Sequence, residues 1–475
     1  MKRTAWRRSA STAALAVVLA STSGLAPVAG ARQIPQEAAG CATDDRGVER
    51  CTGTIANGAP YTWEIPSNWN GTLLVYSRGG PVVIVPALDA PRGVSAWLLQ
   101  QGYALLGSSY SAPGWAVAEG PADQVATMDA FEGTYGKPTR TIAWGESLGG
   151  SVTHALIQRY PARFDGALPL CNAGGGMAAQ WNQLLDATFA LKTLQAPTSS
   201  LALVNLPRFP AATPDATAAD ALVTEAQKTA AGRARVAMAA AFNNAPLWVD
   251  PADPEPVDLA GQQAQMAKAL RNAIRLGMSV PRQEIELRAG GNFSWNTGVD
   301  YAKQLALSGR WEIVSALYQQ AGLSLEQDLR TLQAAPRVAG NAAAVAYAKA
   351  NVAPNGVLSF PVLTMNTTGD PSALPAHEQA YAATVSATGS AGLLRQTFVN
   401  RAGHCNFTPA EYAGALLTLE ARLDTGTWGD STRPEALNAT AASTDLPGGT
   451  RFVSYRPDQF LRPCSLLEAR CEGEP

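Results

Sequence analysis

Between residues 53 and 176 short apolar runs alternate with stretches of helical periodicity, a rhythm that few architectures can accommodate. The runs at 72–77 (TLLVYS), 103–108 (YALLGS), 141–144 (TIAW) and 164–170 (FDGALPL) are too continuously apolar for half-exposed strands and read as strands buried on both faces. Residues 122–135 and 148–160 carry the helical spacing between them. Strand and helix in alternation make an α/β fold, a mostly parallel sheet with helices on both faces. The rhythm resumes with strands at 360–365 (FPVLTM) and 393–399, followed by helices near 376–385 and at 409–423. One α/β unit is therefore interrupted.

The interruption, 175–356, is rich in Ala, Leu and Gln, with helical periodicity at 181–194, 216–241, 260–274 and 299–320 and almost no β-branched runs. It predicts a large, mainly helical cap inserted over the carboxyl edge of the sheet. The expected organisation is a signal peptide at 1–31, a first core segment at 32–174, the cap at 175–356, and a second core segment at 357–475. The Pro/Gly/Thr-rich tail of that last segment, after 426, should wrap the core.

Lys2, Arg3, Arg7 and Arg8 precede an apolar run at 12–19, and Ala29-Gly30-Ala31 supplies the small residues that a signal peptidase cuts after. That run is shorter than the roughly 20 residues needed to span a bilayer, so the expectation is a secreted protein with no membrane attachment once the signal is removed. Export makes the six cysteines candidates for disulfides. Spacing favours Cys41 with Cys51 and Cys464 with Cys471, which leaves Cys171 and Cys405. No Cys/His cluster has zinc spacing, so neither a metal nor another cofactor is expected. Lys and Arg number 36 against 38 acidic residues, a net charge of -2, which offers no field for nucleic acid.

Gly145-Glu146-Ser147-Leu148-Gly149 is a GxSxG sequence set between a predicted strand and a predicted helix. A sharp turn there would expose the Ser147 hydroxyl as a nucleophile, and only small residues two before and two after it let strand and helix approach so closely. Serine needs a base, and the chain has three histidines. His154 lies seven residues into the following helix, about 10 Å along its axis and out of reach. His377 reads as a residue on a solvated helix face. His404 follows the last predicted strand, at the carboxyl edge where a loop-borne base belongs. Asp370 follows the strand at 360–365 and is the expected acid, ahead of Glu378, to hold the imidazole. The backbone N–H of Leu148 and that of Gly80, or else Gly79, in the loop Arg78-Gly79-Gly80-Pro81 are the expected oxyanion donors. Tyr110 and Trp115, in a loop after another strand end, are candidates for substrate contact. Trp181, Trp248, Trp295 and Trp311 of the cap read mainly as core.

The order Ser147, Asp370, His404, together with the elbow, the Gly-rich loop and the helical insertion, resembles the α/β-hydrolase superfamily, and within it secreted bacterial serine esterases and peptidases. The likeness covers about 53–174 and 357–423. It departs at the oxyanion loop, SRGGP, where many members have His-Gly. The chain is also similar to tannase and feruloyl esterase types, in which a cysteine beside the serine is bonded to one beside the histidine. Here Glu146 precedes Ser147, so Cys171 is the partner left for Cys405. The resemblance implies a secreted hydrolase that cleaves a carboxylic ester through an acyl-enzyme. Its substrate would be a small-molecule or short oligomeric ester or amide. The alternative is an amide or peptide hydrolase, an aminopeptidase or amidase, on the same fold. A catalytically silent binding protein would have no need of all three residues.

Overall fold

The computed structural model describes residues 40–80, 85–207, 213–468 and 471–474. The expected signal peptide lies outside the described residues. Among the described residues ten strands form one sheet: β1 (Gly40–Thr43), β2 (Val48–Thr54), β3 (Pro60–Pro66), β4 (Thr72–Ser77), β5 (Ala104–Ser108), β6 (Arg140–Glu146), β7 (Gly166–Leu170), β8 (Val362–Gly369), β9 (Leu394–Ala402) and β10 (Phe452–Val453). Their order is β1-β2-β3-β5-β4-β6-β7-β8-β9-β10. The strands from β5 to β9 are parallel, and antiparallel strands extend both edges.

All six residues of β4 are buried, because its alternating side chains enter two different cores. Leu73 and Val75 pack with Phe131, Val152 and Leu156 from the helices Gly120–Tyr135 and Leu148–Arg159. Leu74 and Tyr76 pack on the other face with Leu98 of the helix Ser95–Gln100 and with Leu416 and Leu419 of the helix Pro409–Thr425. Helices cover the sheet on both sides, which is why its strands lack the polar alternation of a one-sided sheet.

Between β7 and β8 the described residues form nine helices, from Met177 to Val352, around a core of their own that includes Trp181, Phe189, Phe242, Trp295 and Tyr301. Two stretches that the periodicity presents as single helices are pairs. The first breaks between Thr213–Ala226 and Ala230–Ala241, where the Thr229 hydroxyl caps the second helix by accepting from the Gly232 N–H at 3.0 Å. The other breaks between Tyr301–Leu307 and Trp311–Ala321 at Gly309, whose φ of 71° ends a helix. Periodicity runs through both breaks because each pair faces the same core.

The tail extends the sheet through β10 and also grips the insertion. Arg462 forms a buried ion pair with Asp186 at 2.6 Å, and the Trp295 indole donates to the Glu472 carbonyl. Disulfides join Cys41 to Cys51, Cys171 to Cys405 and Cys464 to Cys471. No helix of the described residues is long and apolar enough to cross a membrane.

The parallel strands end together, and the turn after β6 is the tightest place at that edge. A Cβ on Gly145 would lie 2.5 Å from the Ser77 carbonyl oxygen, one on Gly149 would overlap that same oxygen, and one on Gly150 would lie 2.6 Å from the Asn172 side chain. Gly149→Ala should therefore destabilise the protein by about 1–3 kcal/mol, as overpacked cores do. Gly133→Ala, in an exposed helical position with open space around it, should stabilise by about 0.5–1 kcal/mol. Urea unfolding midpoints of the two variants check both signs.

Candidate active site

Ser147 stands between β6 and the helix Leu148–Arg159 with φ 56° and ψ -120°, a backbone conformation that costs a non-glycine residue of order 1–3 kcal/mol. Its N–H is held by the Leu170 carbonyl at 3.1 Å, and its side chain projects beyond the sheet edge toward the loop after β9. His404 Nε2 lies 2.8 Å from Ser147 Oγ. On the other side of the ring, Nδ1 meets Asp370 at 2.8 and 3.0 Å. Asp370, the first residue after β8, is fully buried, and its carboxylate also accepts from the N–H groups of Ser372 and Ala373, each at 2.8 Å.

The His404 loop is held from three sides. Gly403 has φ 96°, and its N–H donates to the Gly369 carbonyl while its own carbonyl accepts from the Thr367 hydroxyl. Cys405, bonded to Cys171, ties the loop to the end of β7 with a Cα separation of 5.3 Å. The Cys405 N–H reaches Asp370 at 3.4 Å.

Burial disfavours the charged imidazole of His404, but the charge and hydrogen bond of Asp370 and the nearby charge of Glu146 outweigh it, so its pKa stands above the ordinary 6.5. Glu146, the residue before the serine, stands where the tannase and feruloyl esterase types have a cysteine. Its carboxylate accepts from the Tyr76 hydroxyl at 2.6 Å and from the Tyr412 hydroxyl. Burial and then the Glu146 charge raise both phenols, so they remain donors.

Arg78 shows why the first loop reads SRGGP. The side chain is fully buried, lies 4.8 Å over the Tyr110 ring, and donates to the carbonyls of Gly79, Gly80 and Ser109 at 3.1, 2.7 and 3.0 Å. Because the peptide is planar and trans, holding the Gly79 carbonyl turns the Gly80 N–H away from the guanidinium. The loop lies directly on the elbow: a Cβ on Gly79 would sit 3.2 Å from the Ser147 Cβ. Among the described residues, the amides of Gly79, Gly80 and Leu148 have no acceptor.

Two cavities meet at Ser147, His404 and Gly80. One, of about 900 Å³, passes Glu146, Asp89 and Arg50. The other, of about 200 Å³, is closed by Trp115, Leu148, Ala173, Leu276 and Pro281, with Arg275 on its wall. Trp115 reaches this second cavity, while its N–H is fixed by Glu284 of the insertion at 2.8 Å. Tyr110 lines neither cavity. It is fully buried beneath the loop, where its hydroxyl donates to the Arg78 carbonyl and its ring supports the Arg78 side chain. His377 is likewise buried and not on a solvated face. It accepts from the Gly175 N–H and stacks near Phe460, with its pKa pulled down by burial to about 3. His154 is buried against Tyr381 with its pKa down to about 4. Glu378 bonds Thr364 and Gln396, away from His404.

No protein-family model matches the chain. Over 449 residues it is 30% identical to the o-phthalyl amidase of Xanthobacter agilis, a span covering 85% of this chain and 93% of that protein. The chain belongs to the α/β-hydrolase superfamily, in the family of that amidase. Among solved structures it is similar to feruloyl esterase B from Aspergillus oryzae, at 13% identity and a TM-score of 0.40 over 89% of each chain. It is also similar to Candida antarctica lipase A in its closed state, at 14% identity and a TM-score of 0.39, over 86% of this chain and 90% of that one. This α/β-hydrolase carries its helical insertion between β7 and β8, and Ser147, Asp370 and His404 follow β6, β8 and β9.

If the Glu146 charge helps to hold His404 protonated, Glu146→Gln should move the imidazole titration to lower pH. In the parent the midpoint should lie above about 6.5. Histidine ring NMR shifts followed against pH check this, since the other two histidines are buried and remain neutral over that range.

Proposed function

We propose that this chain is an exported serine hydrolase that cleaves an amide of an aromatic carboxylic acid through an acyl-enzyme. The observation that carries the reading is the unbroken relay from Ser147 Oγ through His404 to buried Asp370. His404 Nε2 takes the hydroxyl proton as Ser147 Oγ bonds to the carbonyl carbon, and Asp370 holds the ring and offsets its charge. The oxygen of the tetrahedral intermediate meets the N–H groups of Leu148 and Gly80, and loss of one such donor costs about 10²–10³-fold in kcat. His404 then gives its proton to the leaving nitrogen as the C–N bond breaks. Water, deprotonated by His404, releases the acid and restores Ser147.

Similarity to an amidase over 85% of this chain and 93% of that protein supports the amide reading ahead of the ester expected from sequence. The same relay acts on the more reactive esters of the same acids, and comparing anilide with aryl ester turnover ranks the two. Export is supported by the disulfides, which engage all six cysteines. The balanced charge, a net -2, fits a small-molecule substrate rather than a polyanion.

Replacement of Ser147 by Ala should lower kcat by roughly 10⁴-fold or more without loss of fold. A fluorophosphonate should label the parent at Ser147 alone, as peptide mapping can show, and continued labelling of the Ala variant would refute the assignment.

Only neutral His404 can accept the serine proton, so activity must be lost as pH falls through its raised pKa. The acid limb of kcat/KM should have its midpoint above about 6.5 and vanish with activity in His404→Gln. A flat profile between about pH 5 and 8 would exclude it as the base.

A further inference from the structure

Residues 88 and 89 lie flat on the sheet, along one wall of the larger cavity. A glycine makes room for them: a Cβ on Gly107 of β5 would overlap the Leu88 carbonyl oxygen and lie 3.0 Å from the Asp89 Cα. The register sets Gly107 beside Tyr76 of β4, and Tyr76 beside Trp144 of β6. Two strand spacings, about 10 Å, therefore separate Asp89 from the strand that ends in Glu146 and leads into Ser147. Asp89 is only 9% exposed, yet it borders the cavity, and among the described residues its Oδ2 is enclosed without a hydrogen-bond partner. Glu64 of β3 and Arg50 of β2, register partners that pair at 3.3 Å, are the charges that face it. One cation thus serves two carboxyl groups. Burial first, and then the Glu64 charge, push the Asp89 pKa up to about 7 against the pull of Arg50. The other charges on this cavity leave that imbalance in place. Arg46 is held by Asp44 at 2.7 Å, and Arg92, which has no ion pair among the described residues, stands exposed where water and salt screen it. At the serine end stand His404 and the carboxylate of Glu146, whose oxygens are taken by the Tyr76 and Tyr412 hydroxyls.

We propose that Asp89, with Glu64 beside it, binds an ammonium group carried by the leaving half of the substrate. The proposal deepens the acyl-enzyme reading above and rests on it for the division of the substrate at Ser147, with the leaving half in the larger cavity. An ammonium brings three N–H donors and one positive charge to a place where two carboxyl groups share a single arginine. Asp89 is costly to ionise there because nothing else offsets its charge, and the ammonium supplies what is missing. Ligand and proton therefore compete: as the ammonium docks, Asp89 gives its proton to solvent. Arg92 favours the opposite charge at the rim, but an exposed cation discriminates less than an enclosed acceptor, whose field is not screened by water. The leaving class that fits both the Asp89 pair and the distance from the nucleophile is an amine with a second, protonated nitrogen across a spacer such as a phenyl ring.

Two measurements test this. The first is binding without turnover: para-aminobenzylamine, para-ethylaniline and para-aminophenylacetate, leaving amines of similar shape that carry a cation, no charge and an anion, are titrated calorimetrically into the Ser147→Ala protein at about pH 8, where Asp89 is ionised. The cation should bind more tightly than the neutral amine by about 10-fold or more, as a charge-assisted hydrogen bond gives, and Asp89→Asn in that background should erase the difference. Equal binding of the cation and the neutral amine, tightest binding of the anion as Arg92 alone would produce, or a preference that survives Asp89→Asn, would overturn the proposal. The second measures selectivity, as the ratio of kcat/KM for the para-aminomethyl anilide to that for the para-ethyl anilide of one aromatic acid, followed against pH. Both substrates use His404, so its titration cancels in the ratio. The ratio should rise with pH around a midpoint of about 7, through KM rather than kcat, and Glu64→Gln should move that midpoint lower by removing the like charge and freeing Arg50. A ratio flat with pH, or a midpoint unmoved in Glu64→Gln, counts against the proposal, and a general folding defect moves neither. If Ser147 labels and anilides are cleaved with no charge preference, the proposal alone fails. If neither anilides nor esters are cleaved and Ser147 does not label, the acyl-enzyme reading fails, while amine binding still decides the role of Asp89.

Discussion

The turn at Ser147 is the constraint on which the rest of this structure depends. The serine can project beyond the sheet only because its backbone is held at positive φ between a strand and a helix that nearly touch. Gly145, Gly149 and Gly150 permit that approach, each lying where a Cβ would meet the backbone of β4 or the segment after β7. The strain is maintained by its surroundings: the Ser147 N–H is taken by the end of β7, and the first loop lies against the serine from the side of β4. Once the turn is made, the parallel order of β4, β6, β7, β8 and β9 brings the loop after β4, the Cys171–Cys405 disulfide, Asp370 and His404 to one edge.

Charge at that edge is arranged in opposition. Asp370 and Glu146 favour the imidazolium of His404, whereas burial and Arg275 disfavour it. The two carboxylates are themselves restrained differently. Asp370 is fixed by backbone N–H groups and Glu146 by two tyrosine hydroxyls, so one belongs to its own loop and the other joins strands to the helix Pro409–Thr425. The buried Arg78 has a related task on neutral partners, orienting three carbonyls and, through one of them, an amide that faces the other way.

The insertion is bound to the core at the site itself. Asn272 and Gln180 hold the turn after Asp370, and Glu284 fixes the Trp115 backbone. Arg288 pairs with Glu119 on the helix side of the same loop. The tail completes the attachment through the Arg462–Asp186 pair. The insertion therefore supplies part of the cavity wall next to Ser147, through Leu276 and Pro281.

The sequence by itself determined what depends on neighbours along the chain. Strand, turn and helix around Ser147, the buried strands β4 to β9, and the positions of Asp370 and His404 after their strands are all local patterns of apolar period and glycine spacing. What only the tertiary structure decided depends on residues far apart in the chain. The pairing of Glu146 with Tyr76 and Tyr412 spans up to 266 positions, and the place of Arg275 beside Ser147 arises from a helix whose own periodicity speaks only of its buried face. Tyr110 and His377 show the same limit from the other side. Each sits in a segment that could face solvent or substrate, and each is buried because of what packs over it, Arg78 in one case and Phe460 in the other. Apolar spacing reports which side of an element is buried, but not which distant polar group the fold will bring to meet it.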